Sequence, residues 1–116
     1  MLVVDDQELF RAVAREVVVA TPGMAFVGDA GSGEAAIDAV EELSPRMVIM
    51  DKRMPGIGGI EAARVIHARH PEVVIVLVSI EAATPEALEA SGAVAFLQKR
   101  QLSPRALTEL WQAYGT

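Results

Sequence analysis

Val73-Val74-Ile75-Val76-Leu77-Val78, followed at once by Ser79, decides the fold. A strand with one wet face alternates apolar and polar residues. A run with no alternation is buried on both faces. Working outward, similar runs stand at Leu2–Val4, Met47–Met50 and Ala93–Leu97, with a weaker one at Ala25–Val27. Helical patterns separate them. The spacing of Leu9, Phe10, Val13 and Val17 predicts a first helix, with Asp6 as its N-cap and Thr21-Pro22-Gly23 as its end. Ser32 caps a second, whose stripe is Ala36, Ile37, Val40 and Leu43, ended by Ser44-Pro45. After the loop Met54-Pro55-Gly56 and Gly58-Gly59, a third carries Ile60, Ala63 and Ile66 or His67 on one side, up to His70-Pro71. Thr84-Pro85 starts a short fourth helix that Gly92 closes, with Leu88 its main anchor. Ser103-Pro104 starts the last, bearing Leu107, Leu110, Trp111 and Tyr114.

The pattern is βα repeated five times. It predicts an α/β fold over residues 1–116, a five-stranded parallel sheet covered by helices on both faces. Right-handed crossovers leave few topologies, and five units suit the flavodoxin-like order 2-1-3-4-5. The first, third and fourth strands, the most apolar, are then central.

Composition narrows the function. Of 116 residues, 52% are hydrophobic and 22% charged, and mean hydropathy is +0.33, which excludes intrinsic disorder. Acids outnumber bases 16 to 10, for a formal net charge of −6. That argues against direct nucleic-acid binding by this domain. With no cysteine there is no disulfide, thiolate metal site or thiol nucleophile. Val73–Val78 is the longest apolar run, too short to span a bilayer. The opening residues carry no signal-peptide pattern, so no membrane association and a cytoplasmic location are expected.

The chemistry sits at the strand ends. The first strand ends in Asp5-Asp6, the third in Asp51, the fourth in Ser79, and Lys99 comes just after the fifth. Ligands of open α/β sheets bind outside the carboxyl ends of the strands, and a parallel sheet brings these side chains to one rim. Like charges about 4 Å apart at an effective dielectric near 20 repel by about 4 kcal/mol. The cluster must therefore take up protons or a cation. Hard oxygen donors in an open cluster suit Mg²⁺. Lys99 offers a point charge for phosphate oxygens, Ser79 a hydroxyl, and Asp51 a carboxylate nucleophile. Taken singly, Asp6 reads as a helix cap; the whole set reads as a site.

These segments also resemble a family. Leu2-Val3-Val4-Asp5-Asp6, Asp51-Lys52-Arg53-Met54-Pro55-Gly56, Val78-Ser79 and Gly92-Ala93-Val94-Ala95-Phe96-Leu97-Gln98-Lys99 are similar to the receiver domain of bacterial response regulators of two-component signalling. Gln7-Glu8-Leu9-Phe10-Arg11 resembles receivers of regulators with helix-turn-helix DNA-binding outputs. The resemblance implies that Asp51 accepts a phosphoryl group from a sensor histidine kinase. It implies Mg²⁺ held by Asp5, Asp6, Asp51 and the backbone carbonyl of Arg53. Lys99 would pair with phosphoryl oxygens, and Ser79 and Phe96 would act as switch residues. The fourth helix, fifth strand and fifth helix would form the output surface toward an output domain or protein partner, with a homodimer left open. The pattern departs from the family at Lys99-Arg100, where Lys-Pro with a cis peptide is frequent, at Phe96, which lacks a tyrosine hydroxyl, and at Gly58, in place of a frequent Asp. The first strand starts almost at Met1, which reads as an amino end shorter than usual.

Three other functions compete. An aspartyl-nucleophile phosphatase would need an acid where Arg53 stands. An FMN binder would need a hydroxyl- and amide-rich phosphate loop where the negatively charged Asp5-Asp6-Gln7 stands. A receiver-like scaffold that is never phosphorylated would not need the intact acid, Ser and Lys set. Away from the site, Trp111 and Tyr114 read as core packing or as an exposed partner contact. His67 and His70 lack an evident third metal ligand. Lys52, Arg53 and Glu81 read as solvent-facing neighbours of the pocket, and Met54 as structural.

Overall fold

The computed structural model describes residues 1–115, so Thr116 of the expected 1–116 domain lies outside it. The element order is β1 (Leu2–Val4), α1 (Glu8–Val19), β2 (Gly28–Ala30), α2 (Gly33–Leu43), β3 (Met47–Asp51), α3 (Gly58–Arg69), β4 (Val74–Ser79), α4 (Pro85–Ser91), β5 (Ala95–Gln98) and α5 (Pro104–Tyr114). The strands form one parallel sheet in the order β2-β1-β3-β4-β5. The expected α/β topology is therefore the observed one.

The strand pleat divides the core into two layers. Leu2, Val4, Val48, Met50, Ile75 and Leu77 face α2, α3 and α4, where they meet Ala36, Val40, Ala62, Ala63, Ile66 and Ala87. Val3, Ile49, Val76 and Val78 face α1 and α5, where they meet Ala14, Val18 and Leu107. Successive residues of each apolar run thus point to opposite sides and find an apolar layer on both. Ser32, Thr84 and Ser103 accept hydrogen bonds from Ala35, Ala87 and Ala106 N–H, as their N-cap positions predict. Gly92 closes α4 in the left-handed conformation, at φ 74°.

Several details differ from the expectation. β2 lies at Gly28–Ala30 and not at Ala25–Val27. It is an edge strand, so its register follows pairing with Leu2–Val4 and not its own hydrophobicity. Asp6 does not cap α1. Gln7 holds the N-cap position, and Asp5 Oδ1 accepts from Gln7 N–H at 2.8 Å. On α1, Leu9 and Val13 are 79% and 50% exposed, and the core side is Phe10, Ala14, Val17 and Val18. α4 is anchored by buried Ala87 and Ser91, with Leu88 only half-buried. On α5, Trp111 packs on the core while Tyr114 is 47% exposed.

The loop after β3 turns tightly into α3. Gly59 N–H donates to Lys52 carbonyl at 3.1 Å. A Cβ on Gly59 would stand 1.8 Å from the Asp51 carbonyl oxygen. Gly58, at φ 75°, has open space beside it. We expect Gly59→Ala to cost about 3 kcal/mol or to prevent folding, because backbone would have to move. Gly58→Ala should cost only about 1–2 kcal/mol of left-handed strain. Urea unfolding of the two variants checks the ranking.

Candidate functional site: an acidic pocket at the carboxyl ends of the strands

Each predicted polar residue emerges where a strand ends. Asp5 follows β1, Asp51 closes β3, Ser79 closes β4, and Lys99 follows β5. Asp5, Asp51 and Ser79 are buried, and Asp6 is exposed at the lip. Asp6, Gln7, Asp51, Arg53, Ser79, Ile80, Glu81 and Lys99 line one recess. A larger recess lined by Met1, Met24, Val27, Met47 and Trp111 lies at the opposite strand ends and holds none of these acids.

Lys99 organises the charge. Its Nζ lies 2.7 Å from Asp5 Oδ2 and 3.7 Å from Asp51 Oδ2. A single 3-10 turn, Lys99–Gln101, sets its backbone, and Gln101 Oε1 accepts from Gln98 N–H at 3.0 Å. The Lys99-Arg100 peptide is trans, as are all peptide bonds among the described residues. The contact with Asp5 is an ion pair without good hydrogen-bond direction, which leaves Asp5 Oδ2 buried with no directed donor. Oxygens of Asp5, Asp6 and Asp51 lie within 4.8 Å of one another. This is the one such grouping of metal-ligating side chains among the described residues. An undirected buried carboxylate oxygen, two more carboxylates and an exposed side fit a small divalent cation that keeps some of its water.

Ser79 Oγ accepts from Glu81 N–H at 3.2 Å, and Glu81 Oε2 accepts from Arg53 at 2.9 Å across the mouth. That exposed pair contributes little to stability. Phe96 pairs with Leu77 in the sheet and packs on the α2–α4 layer. Met54 packs there too. The histidines do not converge on a metal: His70 Nε2 meets Glu41 Oε1 at 2.9 Å, whereas His67 lies against Gly92.

Two site neighbours are not apparent from the sequence. The Phe10 ring lies under Lys99, with Nζ 4.5 Å from its centroid. Arg11 donates to the Asp5 carbonyl at 2.7 Å and to Asp29 Oδ2 at 3.1 Å, tying the end of β1 to β2. The one signal for both is helical phase. By spacing alone, Phe10 is a core residue and Arg11 an ordinary surface cation.

Burial pushes the Asp51 carboxyl up to about 6, and the negative charge of Asp5 adds to the push. Lys99 and the Arg53 N–H oppose it, and Asp6 raises it slightly further. In the unfolded chain the group titrates near its ordinary 3.8. Between these values the native state holds the extra proton, so Asp51 lowers stability as pH rises from about 4 to about 6, and the loss levels off above that. In metal-free buffer, Asp51→Asn should therefore be more stable than the wild type at pH 7.5. The advantage should shrink toward pH 4. Thermal melts across this range check it.

Known proteins share this fold and sequence. The family described as response regulator receiver domain matches residues 1–112. Response regulator GacA of Pseudomonas viridiflava is 39% identical over 101 residues, covering 85% of this chain and 47% of that protein. The chain therefore spans about half the length of this curated relative. The response regulator domain of Thermotoga maritima CheB superposes with a TM-score of 0.85 at 33% identity, covering 99% of this chain and 95% of that one. A LuxR-family two-component response regulator from Aurantimonas sp. SI85-9A1 gives 0.84 at 31% identity, covering 97% and 81%. The family model spans nearly the whole chain and the fold superposes on solved receiver domains, so the chain belongs to the response regulator receiver domain family.

Proposed function

We propose that residues 1–116 form one receiver domain that works as a phosphorylation-dependent signalling switch, with Asp51 as phosphoacceptor. The reading rests above all on the Lys99 ammonium standing between Asp5 and Asp51, at 2.7 and 3.7 Å, on the rim that also carries Ser79. An Asp51 oxygen attacks the phosphorus of a sensor kinase's phosphohistidine. The O–P bond forms as the P–N bond breaks, and the imidazole leaves with the bonding pair. Water later attacks the same phosphorus, releasing inorganic phosphate and restoring the carboxylate. The chain turns over only its own phosphoryl group and is not an enzyme toward outside substrates.

Asp5, Asp6, Asp51 and the Arg53 carbonyl would hold Mg²⁺, which supplies positive charge against the phosphoryl oxygens. Lys99 moves from Asp5 toward those oxygens. The Ser79 hydroxyl donates to one of them, and the Glu81 N–H that now bonds Ser79 Oγ feels the pull. Phe96 follows Ser79. α4 sits on two small side chains, Ala87 and Ser91, so it shifts readily. The α4–β5–α5 face then controls an output domain or protein partner, in the manner of regulators that govern transcription through helix-turn-helix domains. A second copy of the chain is an alternative occupant of that face. The domain itself contacts neither DNA nor membrane and works in the cytoplasm. Among the described residues, no helix is long and apolar enough to cross a membrane.

Acetyl phosphate with Mg²⁺ should label the wild type on Asp51 and leave Asp51→Asn unlabelled, read by intact mass. Stable acyl-phosphate labelling of Asp51→Asn would overturn the assignment. Beryllofluoride should change amide-exchange protection across Glu81–Gly92 in the wild type, and the change should be blunted in Lys99→Ala.

A further inference from the structure

Phe10 lies on the first turn of α1, two residues beyond its start at Glu8. Asp5 Oδ1 accepts from Gln7 N–H and so turns the chain sharply from β1 into the helix. That turn brings the third helical residue back beside the pocket. Phe10 packs on the same apolar layer as Leu97 and Leu102, which flank Lys99 in sequence. Its ring face meets the Lys99 ammonium at 4.5 Å from the centroid.

The ammonium therefore has three neighbours: the Asp5 carboxylate, the Asp51 carboxylate and a π face. Its side chain is only 15% exposed. A lysine has a flexible four-carbon stem and would otherwise swing its head toward bulk water. An aromatic face attracts a cation without fixing its direction. It replaces water on one side and still allows the ammonium to move between two anions. An acid in the same place would bind the ammonium and compete with the phosphoryl oxygens. An aliphatic side chain would fill the space and attract nothing.

We infer that Phe10 is a positioning residue for Lys99, an aromatic floor that keeps the ammonium in the pocket while it transfers from Asp5 to the group on Asp51. The inference builds on the proposed function. Its physical core, the contact between ring and ammonium, can be read separately.

Three variants test it. Phe10→Leu keeps an apolar, somewhat smaller side chain and removes the π face. Phe10→Tyr keeps the face. Lys99→Ala removes the cation. Initial labelling rates are measured against acetyl phosphate concentration at saturating Mg²⁺. Phe10→Leu should lower the maximal rate by about tenfold, the size expected from losing a partly desolvated cation–π contact. The half-saturating concentration should stay within about twofold, and Phe10→Tyr should restore the rate. In a Lys99→Ala background, Phe10→Leu should have no further effect. In NMR spectra, the Lys99 Hε protons should be shifted upfield by the ring in the wild type and in Phe10→Tyr, and the shift should vanish in Phe10→Leu.

A Phe10→Leu protein that labels like the wild type would overturn the inference. So would equal losses in Phe10→Leu and Phe10→Tyr that track melting temperature, since the ring would then be only a filler. If the wild type takes no label, the proposed function fails. The ring-current shift then decides the positioning claim alone, and its absence from the wild type overturns it.

Discussion

Three carboxylates share one end of this molecule with a single buried-stemmed ammonium. Asp5 and Asp51 are both buried within reach of Lys99, and Asp6 adds a third charge at the lip. The ion pairs do not balance the site, and burial first, with the Asp5 charge second, raises the Asp51 carboxyl. A pocket in this condition is not a stabilising feature of the fold. It is held together by the apolar layers beneath it and is poised to accept positive charge. The sheet bears that cost because β1 and β3, which lead into Asp5 and Asp51, are buried on both faces and anchor their acidic ends rigidly.

The same constraint explains the small residues around the site. Asp51 must emerge from β3 while α3 starts close by. Gly59 allows that approach, since any side chain there would occupy the space of the Asp51 carbonyl. Across the mouth, Ser79, Glu81 and Arg53 form a short chain of contacts from the buried hydroxyl to the surface. A displacement of Ser79 thus has a physical route outward, through one backbone amide and one exposed ion pair.

Much of this is legible in the residues. The central strands announce themselves as unbroken apolar runs, and Ser32, Thr84, Gly92 and Ser103 mark helix ends by their own chemistry. Asp51, Ser79 and Lys99 are legible as a set because parallel topology sends every strand end to one rim. The illegible parts depend on partners distant in sequence. Gly28–Ala30 has no strand-like composition, and only pairing with Leu2–Val4 makes it a strand. Asp6 has the look of a cap, yet Asp5 takes the turn's hydrogen bond and leaves Asp6 at the pocket. Leu9 and Val13 fit a helical stripe as well as Ala14 and Val18 do, but larger side chains do not always face inward. Phe10 shows the same limit: its spacing marks a core residue, whereas its neighbour is a cation that arrives from the far end of the chain.

β2 has only three residues, among them a glycine and an aspartate whose carboxylate is held by Arg11. Being the outer edge of the sheet, it offers another chain little continuous backbone on which to dock, and a charge stands in the way. The feature that hides this strand from its composition also hinders growth of the sheet along this one of its two edges, and so guards that side against self-templated aggregation.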